Sequence, residues 1–189
     1  MNFELKVKEI LKETYILIGK INNEQLIKNL VDFVKKNKDE NLSYKTNVKG
    51  HFTGFKSLIE NDNFVSFLKE IQENIKIIYR ENFVIQDAWG TLCKKEEEVL
   101  EHDHIGITGF CGILYLTEGG PGTYFKEYDL LIEEEIGKYI LFHPFLKHKV
   151  EKIKNNIERV TVAFNMNQLK DWQDVQQIKW VNKNEIQTI

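Results

Sequence analysis

This chain of 189 residues has few cysteines, no long apolar run and no large excess of charge of one sign. Its two cysteines, Cys93 and Cys111, form no CxxC pair, which argues against a disulfide framework. We expect two small, buried, reduced side chains and a reducing compartment. Lys and Arg number 26 against 29 Asp and Glu, and this balance gives no strong signal for nucleic-acid binding.

The absence of apolar stretches also bears on targeting. No apolar run approaches the roughly 18 residues needed to cross a bilayer. The first ten residues, MNFELKVKEI, carry charges every few positions and lack the apolar segment of a signal peptide. We therefore expect a cytoplasmic protein with no membrane partner. At this length a single domain over residues 1–189 is the natural expectation.

The spacing of apolar residues differs between the two halves of the chain. From Asn23 they recur at helical spacing, in NNEQLIKNLVDFVKKNKDE and NFVSFLKEIQENIKIIY, and Asn22 or Asn23 is placed to cap the first helix. From Phe83 onward, short β-like runs separated by glycines suit an all-β sandwich or barrel. The predicted parts are a mainly helical supporting layer over 1–80, a β core over 83–166 and a polar tail over 167–189.

Two stretches between the β-like runs look structural. TEGGPG, residues 117–122, predicts a hairpin turn because Gly and Pro supply the dihedral angles of a tight reversal. A phosphate-binding loop would need a following Lys-Ser/Thr and a helix start, and neither is present. The acidic stretch IEEE, residues 132–135, is expected to be solvated charge without a specific role.

Histidines give the first chemical signal. His102 and His104, in VLEHDHIG, are two residues apart, so in a strand both rings would face the same side. His148 follows 44 residues after His104, at the start of another β-like run, with His143 as the competitor for this third place. Two ligands from one segment and one from a distant strand form a facial metal site with an open side, and histidine suits Fe(II).

Arg159 gives the second signal. It alternates with Thr161 in ERVTVAF, while Val160 and Val162 occupy the apolar alternate positions. An arginine on the inner face of a strand needs an anionic partner, because an unpaired buried charge is costly. A guanidinium beside a hydroxyl is well matched to a carboxylate.

The order HxH, ILYL, a Gly-rich turn, GKYILFHPFLKH and RVTVAFN resembles the 2-oxoglutarate- and Fe(II)-dependent oxygenases. The similarity spans Trp89 to Asn165 and looks closest to the compact prolyl-hydroxylase-like and phage or bacterial branches. Its most specific part is the distal histidine followed by RxS/T. The resemblance implies an α+β fold, a distorted double-stranded β-helix (jelly-roll or cupin-like) with supporting N-terminal helices.

The resemblance also implies roles for individual residues. His102, His104 and His148 fall on the metal ligands, and Arg159 with Thr161 falls on the clamp for the far carboxylate of 2-oxoglutarate. The same resemblance places Tyr115 beside that carboxylate. Trp89 either lines the pocket or is an ordinary core aromatic. The expected cofactors are Fe(II) and the cosubstrate 2-oxoglutarate.

One position departs from the family pattern. The family has a carboxylate two residues after the first histidine, where this chain has His104, so Asp103 is the alternative second ligand. Losing the carboxylate makes the site more positive.

The implied activity is hydroxylation of a C–H bond with release of succinate and CO2. The substrate, a protein side chain or a small molecule, stays open, as does the oligomeric state. Two other functions stay open as well: a cupin-like three-histidine oxygenase that does not use 2-oxoglutarate, and a non-catalytic β-sandwich binding module.

Overall fold

The structure is a computed structural model that describes residue 14, residues 16–78 and residues 83–168. Within these ranges two antiparallel sheets face each other, and two helices lie against one of them. The helices are α1 (Glu24–Lys36) and α2 (Asp62–Ile78). The strands are β1 (Ile16–Lys20), β2 (Val48–Lys49), β3 (His51–Phe52), β4 (Phe83–Cys93), β5 (Glu98–His102), β6 (Phe110–Tyr115), β7 (Thr123–Phe125), β8 (Leu130–Ile132), β9 (Lys138–Phe142), β10 (His148–Val150) and β11 (Arg159–Gln168).

The larger sheet has six strands in the order β1-β9-β6-β11-β4-β3, and the smaller has five in the order β2-β5-β10-β7-β8. Every pairing in both sheets is antiparallel. A short 3-10 turn, Lys126–Tyr128, joins β7 to β8. Because most successive strands belong to different sheets, several connections must cross from one sheet to the other.

Helix α1 forms where the sequence places an apolar stripe behind a capping residue. The side chain of Asn23 accepts a hydrogen bond from the backbone N–H of Leu26 at 3.1 Å, as expected of an N-cap. The buried face of α1 packs on the larger sheet, closely enough that a Cβ at Gly90 would collide with Val34. Glycine at position 90 therefore lets the helix approach the strand.

Strand β11 lies in the middle of the larger sheet, between β6 and β4. Val160, Val162 and Phe164 are fully buried on the side that carries the helices. The alternate residues, among them Arg159 and Thr161, face the smaller sheet, as the period of two predicts. One strand thus carries both the main core and one wall of the space between the sheets.

Two predictions about connections have different outcomes. TEGGPG is not a hairpin turn: β6 pairs with β9 and β11, whereas β7 pairs with β8 and β10, so residues 117–122 cross between the sheets. Both cysteines are free and buried, as expected. The predicted tail lies almost wholly outside the described residues, and the division into parts of one domain stays a prediction. None of the described helices is both long and apolar enough to cross a membrane.

Candidate metal centre

The three predicted histidines meet in the space between the two sheets. His102 ends β5 and His148 begins β10, and the two residues pair in register across these strands. His104 lies in the loop after β5 rather than on the strand itself, and its backbone N–H donates to the carbonyl of Pro144 at 2.8 Å. The converging rings therefore arise from a strand pair plus an anchored loop, not from the two-residue strand period that the sequence suggested.

The geometry of the cluster suits one small cation. One ring nitrogen from each of His102, His104 and His148 lies within 4.8 Å of the other two. The ring of His148 is 4.3 Å from that of His102 and 5.3 Å from that of His104, between centroids. Three imidazole nitrogens converging in this way can serve as facial ligands and leave the opposite side open.

Two of the rings are oriented by backbone carbonyls. Nδ1 of His102 lies 2.8 Å from the oxygen of Leu100, and Nδ1 of His148 lies 2.9 Å from the oxygen of Leu146. Because a carbonyl can only accept, we assign the proton to Nδ1 in both rings, which leaves Nε2 with a free lone pair. This is the tautomer in which a histidine binds a metal through Nε2.

Burial keeps the three rings uncharged. It lowers the pKa of His102, and it lowers the pKa of His148 well below the usual range. Burial, with a further contribution from His102, lowers the pKa of His104 to about 4. Since the neutral ring is the form that binds metal, the cluster is ready for a cation at neutral pH.

The two competing ligand candidates lie elsewhere. The carboxylate of Asp103 accepts a hydrogen bond from the backbone N–H of Ile105 at 3.4 Å, within its own turn. The ring of His143 stacks on Phe145 with centroids 5.4 Å apart. Neither residue belongs to the group of potential ligands found among the described residues. His104, and not Asp103, therefore lies beside the other two rings, and the identity of the second ligand stays a prediction.

Arg159 and Thr161 line the same cavity as the histidines. This space, about 480 Å³ with its mouth, also has Trp89 and Thr91 in its wall. The hydroxyls of Thr161 and Thr91 are 2.7 Å apart, and Nη1 of Arg159 lies 3.5 Å from Oγ1 of Thr161. The cavity thus has a metal-binding group and a cationic, hydroxyl-bearing group in its walls.

Arg159 already has an anionic partner in the chain. Its Nε donates to Oε1 of Glu134, and the two side chains are 2% and 1% exposed. The expectation that IEEE is only solvated charge is therefore wrong for Glu134. Oε2 of Glu134 is buried without a hydrogen-bond partner among the described residues. The signal for this pairing in the sequence is the need of a strand arginine for an anion.

Tyr115 and Trp89 occupy different surroundings. The hydroxyl of Tyr115 donates to Oγ1 of Thr123 at 2.8 Å, and its ring lies 5.9 Å from Cζ of Arg159. Tyr115 is fully buried and is not among the residues lining the cavity, so its predicted carboxylate contact stays a prediction. Trp89 is both core and pocket wall: it lies beside Phe52 and its ring is 6.3 Å from that of His104.

Comparison with solved structures identifies the architecture. A viral collagen prolyl hydroxylase from Paramecium bursaria chlorella virus 1, bound to 2-oxoglutarate, is 14% identical, with 82% of this chain and 97% of that chain covered and a TM-score of 0.62. A Pseudomonas putida prolyl-4-hydroxylase is 13% identical over 87% of this chain and 98% of that chain, with a TM-score of 0.63. The fold is the double-stranded β-helix. This confirms the predicted fold class.

A third solved structure with the same double-stranded β-helix differs in its ligand. HygX from Streptomyces hygroscopicus, crystallised with nickel, 2-oxoglutarate and hygromycin B, is 10% identical, with 88% of this chain and 87% of that chain covered and a TM-score of 0.60. No protein-family model and no curated protein sequence matches the chain. At these identities the similarity establishes the double-stranded β-helix, and the activity has to be argued from the site.

Proposed function

We propose that the protein is an Fe(II)- and 2-oxoglutarate-dependent dioxygenase. It would hydroxylate a C–H bond of a protein residue or a small molecule and release succinate and CO2. The observation that carries this proposal is that three converging neutral histidines and a buried arginine share one cavity of a double-stranded β-helix. Three solved proteins with this fold support it, since each is named as a prolyl hydroxylase or was crystallised with 2-oxoglutarate.

The histidines fit a divalent metal. Nε2 of His102 and of His148 points away from the carbonyl that fixes each ring, and His104 completes the group. When bound, the metal and 2-oxoglutarate supply the oxidative chemistry, and the protein supplies binding, orientation and shielding. The walls beside the histidines are largely apolar, with Val99, Ile113, Phe142 and Val150 among them, which restricts water around the reacting groups.

The part of the cavity wall formed by Arg159 and Thr161 suits the far carboxylate of 2-oxoglutarate. Arg159 would donate to it through its Nη groups, and the hydroxyl of Thr161 lies beside Nη1 to complete the contact. The pair Thr91–Thr161 fixes that hydroxyl from the neighbouring strand. Tyr115 would contribute to this carboxylate-binding group through its aromatic ring, which lies beside the guanidinium of Arg159.

The substrate would approach past two exposed apolar side chains. Ile105, next to His104, is 86% exposed, and Phe145, next to Pro144, is also exposed. The hydrogen bond from His104 to Pro144 brings these two loops together beside the histidines. Apolar surface at this place suits contact with an apolar part of the substrate, whether the substrate is a protein or a small molecule. A cytoplasmic location fits both.

The test is an anaerobic titration of the Fe(II)-loaded protein with 2-oxoglutarate, followed by visible absorption. We expect a charge-transfer band, because bidentate chelation of Fe(II) by a 2-oxo acid produces one. Absence of Fe(II) binding would contradict the proposal and favour a non-catalytic binding module. The matched control is His148→Ala, in which the band should not form.

One observation favours a second candidate, a three-histidine oxygenase that does not use 2-oxoglutarate. Such a site has no carboxylate ligand, and the group of potential ligands among the described residues here consists of three histidines. Glu134 also already satisfies Nε of the arginine that a dicarboxylate would otherwise neutralise. Iron binding without a charge-transfer band would support this candidate over the first.

A further inference from the structure

Glu134 is placed by two chain segments that cross between the sheets. Residues 133–137 connect β8 of the smaller sheet to β9 of the larger one, and Gly137 N–H donates to the carbonyl of Tyr115 at 2.9 Å. The other crossing segment, residues 117–122, lies against the carboxylate, because a Cβ at Gly120 would collide with Oε2 of Glu134. The carboxylate is thus enclosed behind the first residue of β11.

Arg159 lies between this carboxylate and the cavity. Its Nε faces Glu134, while its Nη1 is near Thr161, which is a cavity residue. Arg159 lines the cavity and Glu134 does not. A ligand in the cavity would therefore meet the Nη side of a guanidinium whose charge is already neutralised from behind.

The ion pair is not explained by fold stability. Only one oxygen of Glu134 has a donor, and the other is buried without one among the described residues. A buried pair that is only half hydrogen-bonded stabilises a fold little, because desolvation of both charges offsets their attraction. A buried acceptor left unsatisfied in this way calls for another explanation.

The charge balance of the metal centre gives another explanation for this buried ion pair. Three neutral histidines add no charge, so a divalent metal is balanced by a dianionic 2-oxo acid alone. The positive charge of Arg159 is then left over in a buried site, where an unpaired charge is costly. Glu134 supplies the negative charge that balances this excess, and it does so by pairing with Arg159, not by binding the metal.

We infer that Glu134 sets how strongly the site prefers a cosubstrate with a second carboxylate. This rests on the proposed function. By neutralising Arg159, Glu134 weakens the attraction for the far carboxylate of 2-oxoglutarate, and the site discriminates little against a 2-oxo acid that lacks it. Glu134 is a positioning residue, since it acts through Arg159 and does not line the cavity.

The probe pair is 2-oxoglutarate and 2-oxopentanoate, which has a methyl group in place of the far carboxylate. Anaerobic titrations of the Fe(II)-loaded protein give a Kd for each from the charge-transfer band. A fully available guanidinium would favour the dicarboxylate by about 10- to 100-fold. For the unmodified protein we expect a preference below about tenfold, because Glu134 opposes it.

Glu134→Gln is the decisive variant. The Gln carbonyl still accepts from Nε of Arg159, so the guanidinium stays in place while the opposing charge is lost. We expect the ratio of the two Kd values to rise at least about tenfold, chiefly through tighter 2-oxoglutarate binding. Glu133→Gln is the matched control, since it removes the same charge from the exposed neighbouring residue. In Glu133→Gln the ratio of the two Kd values should not change.

The outcomes separate the two proposals. If both oxo acids give the band and Glu134→Gln leaves their Kd ratio unchanged, the role of Glu134 is wrong and the proposed function stands. If neither acid gives a band with either protein, the proposed function fails and this inference fails with it. Should Glu134→Gln not fold, the unmodified protein still decides, since a preference above about tenfold for 2-oxoglutarate is that of an unopposed guanidinium and would overturn the inference.

Discussion

His102 and His148 face each other in register across β5 and β10, and each ring donates through Nδ1 to the carbonyl two residues before it. The two strands therefore fix position, tautomer and orientation of both rings before any metal arrives. His104 depends instead on a loop, held by the hydrogen bond from its N–H to Pro144. The centre thus consists of a rigid pair and a third ring on a less regular support.

The first prediction concerns this pair. His102→Ala and His148→Ala should abolish Fe(II) binding. The loss of affinity should exceed the roughly 10- to 100-fold that follows removal of a hydrogen-bond partner of a ligand. Titration of the metal-free protein with Fe(II) under anaerobic conditions measures this. His143→Ala and Asp103→Asn are the controls, and both should bind metal normally. Loss of binding in Asp103→Asn with retention in His104→Ala would make Asp103 the second ligand.

The second prediction concerns the buried ion pair. Arg159→Met should lower the free energy of unfolding by about 3–5 kcal/mol, because it leaves the carboxylate of Glu134 buried and unpaired. The double variant Arg159→Met/Glu134→Leu should recover most of that loss, since apolar replacements of a buried pair are often neutral. Urea denaturation of the single and double variants measures both. Additive losses would mean that the pair does not act as a unit.

The third prediction concerns Tyr115. Tyr115→Phe removes only the hydroxyl that donates to Thr123. If that hydroxyl turns to the cosubstrate on binding, the Kd for 2-oxoglutarate should rise about 3- to 10-fold with no change in Fe(II) affinity. Thr123→Val removes the same hydrogen bond from the other side and frees the tyrosine hydroxyl, so it should not weaken 2-oxoglutarate binding. Equal effects of the two variants would assign Tyr115 a structural role only.

The fourth prediction concerns pH. Burial holds the pKa of His104 at about 4, whereas an exposed histidine of the unfolded chain titrates near 6.5. The unfolded chain therefore binds more protons between these values, and the metal-free protein should lose stability as pH falls from about 6.5 to about 4. Part of that loss, about 1–3 kcal/mol, should be absent in His104→Asn. Denaturation midpoints at several pH values compare the two. Carboxylates titrate equally in both proteins, so identical slopes would argue against a buried neutral ring.

The sequence predicted what depends on local periodicity. Alternation along β11 put Val160 and Val162 on one face and Arg159 and Thr161 on the other, because side chains in a strand alternate whatever the rest of the chain does. The helical stripe of α1 and its cap at Asn23 were predicted for the same reason. These features need only a few neighbouring residues to be read correctly.

The features that the sequence did not predict depend on how segments cross between the sheets. Three adjacent glutamates, Glu133 to Glu135, look alike in sequence, and only the path from β8 to β9 turns the middle one inward. In the same way, β5 ends at His102, so His104 reaches the cluster through its loop and not through strand alternation. TEGGPG has the composition of a tight reversal, but composition does not say whether the next strand belongs to the same sheet.

Strand β11 contributes one face to the main core and the other face to the cavity wall, and this limits how its sequence can change over evolutionary time. Inserting or deleting one residue between Thr161 and Val162 would exchange the faces of the residues before it, so Arg159 and Thr161 would end up against the helices and Val160 would enter the cavity. Substitutions that respect each face meet no such penalty. Very different sequences can therefore share this architecture, as the 13% identity with the Pseudomonas putida hydroxylase illustrates.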